Sequence, residues 1–293
     1  MIRSFDASDF PAEEVLAAKR GRRVSVCLPA RNEEATVGSV VGSIRRALVE
    51  GIPVVDELVV VDDHSSDSTA EMAARAGALV VPAGSVLPEH PCGPGKGEAM
   101  WRGLHATTGD VVVFCDADVT DFDPCFVLGT LGPLLRHPDL ALVKGHYSRP
   151  DGGGRVTELT ARPLLSLLHP GLAGLAQPLA GECAARRDLL ERLPFVGGYG
   201  VDLGLVIDVA ARWGTSSLAQ CDLGTRRHRN RSLRELGAQA VSVAQVALER
   251  AGWRDGEELP WPVVLQHADG ERVNLDMDQL PPLAELRADR RSA

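Results

Sequence analysis

The first half of this 293-residue chain alternates two kinds of segment, and that alternation limits the folds open to it. Residues 23–30 (RVSVCLPA), 56–63 (DELVVVDD), 78–82 (ALVVP) and 110–118 (DVVVFCDAD) are short apolar runs rich in β-branched residues, the composition of buried strands. Between them lie RNEEATVGSVVGSIRRALVEG, with apolar residues at helical spacing, and SSDSTAEMAARAG, with Ser or Asp to cap a helix and Gly77 to end it. GKGEAMWRGLHATTG supplies a third helix. Strand–helix–strand units in a row predict an α/β fold: a mostly parallel sheet with helices on both faces. Ligands of such sheets gather beyond the carboxyl ends of the strands. Those ends are where this chain turns polar: PARNEE after the first strand, DDHSSD after the second, DAD after the fourth.

The second half is less regular. LVKGHYSRP reads as a strand, DGGGR (151–155) as a glycine loop opening a helix, FVGGYGVDLGLVIDVAARWG (195–214) as a glycine turn into an apolar helix, and SSLAQCDLG as a further strand. From about 251 the chain is polar and Pro-containing, which predicts a loosely packed tail. The net charge of −9 argues against a nucleic-acid partner. The longest apolar tract, 159–182, is broken by Arg162 and His169, so no membrane span is expected. MIRSFDASDFPAEEV has no apolar signal-peptide core. The six cysteines form no CxxC pair, and Cys27, Cys115 and Cys221 lie in apolar runs as reduced core thiols. A cytoplasmic, soluble protein is the expectation.

Four constellations carry chemistry. FCDADVTDFD places Asp116, Asp118, Asp121 and Asp123 at the mouth of a buried strand. Carboxylates that close repel unless they splay into water or share a cation. At a strand end, Asp116 and Asp118 can serve a ribose hydroxyl and a metal, and Mg²⁺ or Mn²⁺ completes its shell with substrate phosphate oxygens. GPGKGEA (93–99) sets Lys96 at a helix start, suited to phosphate but without the GK[ST] of a Walker motif. GGGRVTE (152–158) offers amides, Arg155 and Thr157 to a second anion. TRRHRNR gives His228, an imidazole able to join Asp118 on a metal, among Arg226, Arg229 and Arg231, which suit phosphates. The ordinary readings are a flexible loop, a linker turn and a solvated basic face.

LPARNEEAT, VDELVVVDDHSSD, GPGKGEAMWR, VVVFCDAD, GGGRVTELTARPLL, QPLAGE, LPFVGGYGVDLGLVID and LGTRRHRNRSLRELG, in this order, resemble the nucleotide-sugar-dependent glycosyltransferases of the GT-A fold. More narrowly, residues 20–245 resemble glucosyl-3-phosphoglycerate synthases, a retaining family that also holds mannosyl-3-phosphoglycerate synthases. The resemblance implies UDP-glucose as donor, the 2-hydroxyl of 3-phosphoglycerate as acceptor, Mg²⁺ or Mn²⁺, and a homodimer. It maps the donor onto Pro29, Ala30, Arg31, Glu33, Asp63, Lys96, Asp116, Ala117, Tyr199, Asp202, Arg226 and Arg229. It maps the acceptor onto Gly154, Arg155, Val156, Thr157 and Asn230, the metal onto Asp118 and His228, and catalysis onto Asp118, Asp202, Arg226 and Lys96.

On this reading 1–20 is an N-terminal extension, 21–150 the donor half, 151–250 the acceptor half of the same domain, and 251–293 the tail. The chain departs from the family pattern in having Asp202 where a Glu is expected, one methylene shorter. It is also shorter between Tyr147 and Gly152. Both departures touch the sugar and acceptor pockets, so GDP-mannose stays open as a donor. The rivals are an inverting polyprenyl-phosphate glycosyltransferase, which shares PARNEE but needs membrane contact, and a non-catalytic nucleotide-sugar binder.

Overall fold

The computed structural model describes residues 2–90, 93–148, 153–226, 232–253, 263–266, 272–275 and 279–292. Its centre is an eight-stranded sheet in the order β1-β9-β6-β7-β5-β2-β3-β4. The strands are β1 (Arg3–Asp6), β2 (Val24–Ala30), β3 (Glu57–Asp62), β4 (Leu79–Pro82), β5 (Val111–Phe114), β6 (Leu142–Ser148), β7 (Cys183–Arg186) and β9 (Leu218–Thr225). Only β7 runs antiparallel to its neighbours in this sheet, β5 and β6. The four strands expected from the first half pair in register, Cys27 opposite both Val59 and Phe114.

Their unbroken apolar character has a simple cause: both faces of the sheet are covered. Val60, Val111 and Val113 join a core under α1 (Ala12–Lys19), α2 (Val37–Ile44), α3 (Thr69–Ala76) and α5 (Cys125–Arg136). Val59, Val61, Val112 and Phe114 join the opposite core. That face carries α4 (Lys96–Ala106), α6 (Arg162–Leu168), α7 (Arg187–Leu190), α8 (Val201–Trp213) and α9 (Leu233–Arg250). Asp123 accepts from the Cys125 amide at 2.8 Å and so caps α5, while Asp121 is exposed. The neighbours of the Asp-x-Asp pair thus have ordinary structural roles.

Three features differ from the sequence expectation. Residues 3–6 of the extension form the edge strand β1, paired with β9. The strand expected over 110–118 stops at Phe114, leaving Asp116 and Asp118 in the turn beyond it. The tail is not uniformly loose. After β8 (Phe195–Val196), the short hairpin β10 (Val263–Gln266) and β11 (Arg272–Leu275), the strand β12 (Gln279–Leu280) pairs with β8, and α10 (Leu283–Ser292) follows. Leu280 and Leu283 are buried and Trp101 Nε1 donates to the Pro281 carbonyl at 2.8 Å. Two leucines in a polar segment are enough apolar surface to dock it.

Candidate active site

Beyond the carboxyl ends of β2, β3 and β5 lies a cleft of about 510 Å³. It is lined by Pro29, Ala30, Arg31 and Glu33 after β2, Asp63 after β3, Lys96 at the start of α4, and Asp116, Ala117 and Asp118 after β5. Gly154, Arg155, Val156 and Thr157 close one side, with Tyr199 and Asp202 at the start of α8 and Arg226 just past β9. Every site residue expected from the sequence that falls among the described residues is brought to this one cavity. His228, Arg229 and Asn230 lie outside the described residues.

Local structure explains each placement. Asp116 sits against Gly181, where a Cβ would come 2.0 Å from the Asp116 Oδ1, so only glycine lets the carboxylate lie on that backbone. Gly154 has φ +85°, the left-handed conformation that turns the loop into the helix beginning at Arg155. The Arg226 amide donates to the Ser148 carbonyl at 3.0 Å, extending the β6–β9 pairing and holding the arginine over the strand ends.

The charged side chains form one connected chain. Lys144 donates to Asp202 Oδ1 at 2.8 Å, and Lys96 to Asp202 Oδ2 at 2.9 Å and Asp116 Oδ1 at 3.0 Å. Arg226, 3% exposed, donates to Asp116 at 3.1 Å, Asp118 at 2.8 Å and Glu182 at 3.0 Å, and to the Tyr147 hydroxyl. Its guanidinium also lies 5.0 Å from the Tyr147 ring centre. Buried charge survives here because each group has opposite partners.

The protonation states follow. Burial pushes the Asp116 carboxyl up, but Lys96 and Arg226 outweigh it and hold the group well below the usual carboxylate range. Burial works against the Lys96 ammonium, yet Asp116 and Asp202 raise its pKa. Glu182, with no exposed surface, is raised by burial, with Arg226 opposing and Asp116 adding to the shift. Asp63 is raised by its burial, against the hydrogen bond from His64 Nδ1 at 3.1 Å.

Two carboxylates facing the cleft, Asp116 and Asp118, offer oxygen donors, the ligand type of Mg²⁺ or Mn²⁺. The adjacent thiol of Cys115 is turned into the core. Among the described residues no three metal-ligating side chains cluster, and His228, the expected partner of Asp118, lies outside them. The donor set fits such a cation; Arg226 holds Asp118 in the form described.

Sequence reasoning missed Glu182, Tyr147 and Lys144. Glu182 and Lys144 had a usable signal, since each is a single charge in an apolar stretch, LAGECAA and LVKGHY. A charge in a buried apolar stretch needs a partner, and both partners are here site residues.

A sheet edge that gathers a Lys, an Arg and an Asp-x-Asp around a sugar-sized cleft defines a nucleotide-sugar-dependent glycosyltransferase of the GT-A fold. The glycosyl transferase family 2 model matches residues 25–193. Glucosyl-3-phosphoglycerate synthase of Mycolicibacterium smegmatis is 49% identical over 97% of this chain and 96% of its own. The synthase of Petrotoga mobilis is 41% identical over 85% of this chain and 80% of its own. The crystal structure of the Mycobacterium tuberculosis enzyme with Mn²⁺, UDP-glucose and phosphoglyceric acid superposes with a TM-score of 0.91. It is 46% identical and covers 98% of this chain and 99% of that one. The chain belongs to the glucosyl-3-phosphoglycerate synthase family within glycosyl transferase family 2.

Proposed function

We propose that the protein moves glucose from UDP-glucose to the 2-hydroxyl of 3-phosphoglycerate with retention of configuration. The observation that carries the reading is a single cleft in which two anion-binding elements, Lys96 at the start of α4 and the 154–157 helix start, flank one charge network. One element suits the donor diphosphate and the other the acceptor phosphate. The M. tuberculosis enzyme has been crystallised with Mn²⁺, UDP and glucosyl-3-phosphoglycerate, and with Mg²⁺ and UDP.

Roles follow from position. The uridine lies against Pro29, Ala30, Arg31, Glu33 and Asp63, its ribose and diphosphate near Asp116, Ala117 and Lys96. Tyr199 and Asp202 face the sugar, and Gly154, Arg155, Val156 and Thr157 take the acceptor, with Asn230 added as the family resemblance implies. Asp118 and His228 would hold Mg²⁺ or Mn²⁺, which neutralises charge on the departing diphosphate. Lys96, Arg226 and Arg229 supply the remaining positive charge at the leaving group.

Retention is consistent with a covalent glycosyl carboxylate or with attack on the leaving-group face. Asp202, the carboxylate at the sugar, is held from below by the buried Lys144 at 2.8 Å, which opposes its movement onto the anomeric carbon. The acceptor hydroxyl therefore attacks on the face the diphosphate leaves, giving its proton to a diphosphate oxygen, and positioning supplies much of the rate.

The reading extends to a homodimer, as the family resemblance implies, and to the cytoplasm, supported by free cysteines at 27, 115, 125, 183 and 221. No described helix is long and apolar enough to cross a membrane. The test is UDP release from UDP-glucose with and without 3-phosphoglycerate, in Mg²⁺ or EDTA, with GDP-mannose in parallel. Acceptor- and metal-dependent release with UDP-glucose is expected. Binding without release would mean a nucleotide-sugar binder, and preference for GDP-mannose would reassign the donor.

A further inference from the structure

Lys144 is a charged residue in the middle of a buried strand, 2% exposed, and it does not line the cleft. On β6 it stands between Cys183 of β7 and Gln220 of β9. Its ammonium has two acceptors, Asp202 Oδ1 at 2.8 Å and the Ala180 carbonyl. Asp202, in the first turn of α8, does line the cleft.

The second lysine on Asp202 is placed differently. Lys96 reaches Oδ2 at 2.9 Å, shares itself with Asp116, is 18% exposed and lines the cleft. A diphosphate entering the cleft competes with Asp202 for Lys96. It cannot compete for Lys144, which is sealed beneath. A carboxylate offers about four lone-pair sites, so an oxygen held from below by an ammonium still has one for a sugar hydroxyl.

We propose that Lys144 is a positioning residue for the transfer: held beneath Asp202, it fixes the carboxylate against the donor sugar while Lys96 turns to the diphosphate. The inference rests on the reading of Asp202 as a donor-sugar contact. Lys144 acts through Asp202 and touches no substrate. Its effect therefore belongs to the sugar and not to the nucleotide, which separates this role from a merely structural one.

The experiment compares calorimetric affinities for UDP-glucose and for UDP, both with Mg²⁺, in the wild type, Lys144→Met, Asp202→Asn and the double variant. Lys144→Met is expected to lose about tenfold in affinity for UDP-glucose relative to UDP, the scale of one charge-assisted hydrogen bond. The UDP affinity itself and the KM for 3-phosphoglycerate stay unchanged. The double variant is expected to be no worse than Asp202→Asn, because the two residues act as one unit. If Lys144→Met does not fold, the double variant, which leaves neither charge buried alone, still provides the comparison with Asp202→Asn. Parallel losses for UDP and UDP-glucose, or additive losses in the double variant, overturn the proposal. If Asp202→Asn discriminates and Lys144→Met does not, the Lys144 role alone falls. If Asp202→Asn leaves the ratio unchanged, the sugar-contact reading falls and the inference with it.

Discussion

The sheet has a cleft at each end, of similar size and both rich in arginine, yet only one is built for a ligand. The cleft at the carboxyl ends holds about 510 Å³; the other, of about 460 Å³, lies among Arg22, Asp110, Arg186, Arg187, Asp188 and Glu191. At the second, each arginine is anchored to backbone carbonyls, although Arg186 also pairs with Asp188 at 3.0 Å and Arg187 with Glu191 at 3.3 Å. Arg22 donates to the Ala18 and Leu135 carbonyls at 2.8 and 3.0 Å, Arg186 to Pro138 at 3.0 Å, and Arg187 to Leu104 and Gly109. Carbonyls are fixed, so these bonds cannot be traded for a ligand's.

At the first cleft the side-chain nitrogens of Arg226 and Lys96 bond to carboxylates and to the Tyr147 hydroxyl. Those partners can change when diphosphate oxygens arrive. The partner of a charge, more than its presence or the size of the cleft, marks the functional end.

The contrast can be broken by removing one arginine from each end. Arg226→Met is expected to lower kcat/KM by about 10²–10³-fold, as for removal of a donor to developing anionic charge. It should also cost about 3–5 kcal/mol of stability, because Glu182, with no exposed surface, is left without its partner. Arg187→Met should leave kcat/KM unchanged and lower stability by about 1–3 kcal/mol, the penalty of stranded buried acceptors. Steady-state kinetics with urea unfolding reads both. Loss of activity without loss of folding in Arg187→Met would erase the distinction.

A finer version lies along one strand. Glu57 opens β3 and Asp63 follows its end. Burial pushes the Glu57 carboxyl up, but hydrogen bonds from Ser25 and Thr108 prevail and lower it below 4.5. The Thr108 amide and hydroxyl donate to it at 2.8 and 2.7 Å. Asp63, at the ligand end, is raised above 3.8 by burial despite His64.

The signs are therefore opposite. Glu57 contributes stability above pH 4.5 that is lost as pH falls through its lowered pKa. Asp63 contributes stability below pH 3.8 that is lost as pH rises through its raised pKa. Urea midpoints against pH should show Glu57→Gln weakest relative to wild type above pH 4.5. Asp63→Asn should gain on wild type as pH rises from 3.8. Equal pH profiles for the two variants would remove the asymmetry of the ends.

The sheet was legible where the chain is locally consistent. β2, β3 and β5 are buried on both faces and read as continuous apolar runs, and their polar ends pointed directly at the cleft. β7 was not legible, because CAAR is short and alanine-rich and becomes a strand only between β5 and β6. The docking of residues 279–287 depends on Leu280 and Leu283 finding β8 and α4, a contact no local pattern announces.

The site divides in the same way. Asp116, Lys96 and Arg155 stand in glycine-rich or acidic strings that catch the eye. Lys144 stands in β6 and Glu182 just ahead of β7, both in apolar surroundings, and their roles appear only once Asp202 and Arg226 are placed beside them.

In the proposed transfer glucose leaves UDP and arrives at the acceptor on one face, beside a carboxylate that Lys144 holds in place. The most direct measurement is the proton NMR spectrum of the product formed from UDP-α-glucose and 3-phosphoglycerate, read at the anomeric position. An α-glucoside at the 2-hydroxyl of 3-phosphoglycerate is the expected product. A β-glucoside would show attack from the opposite face, and the assignment of Asp202, Lys96 and Arg226 to a same-face transfer would be wrong.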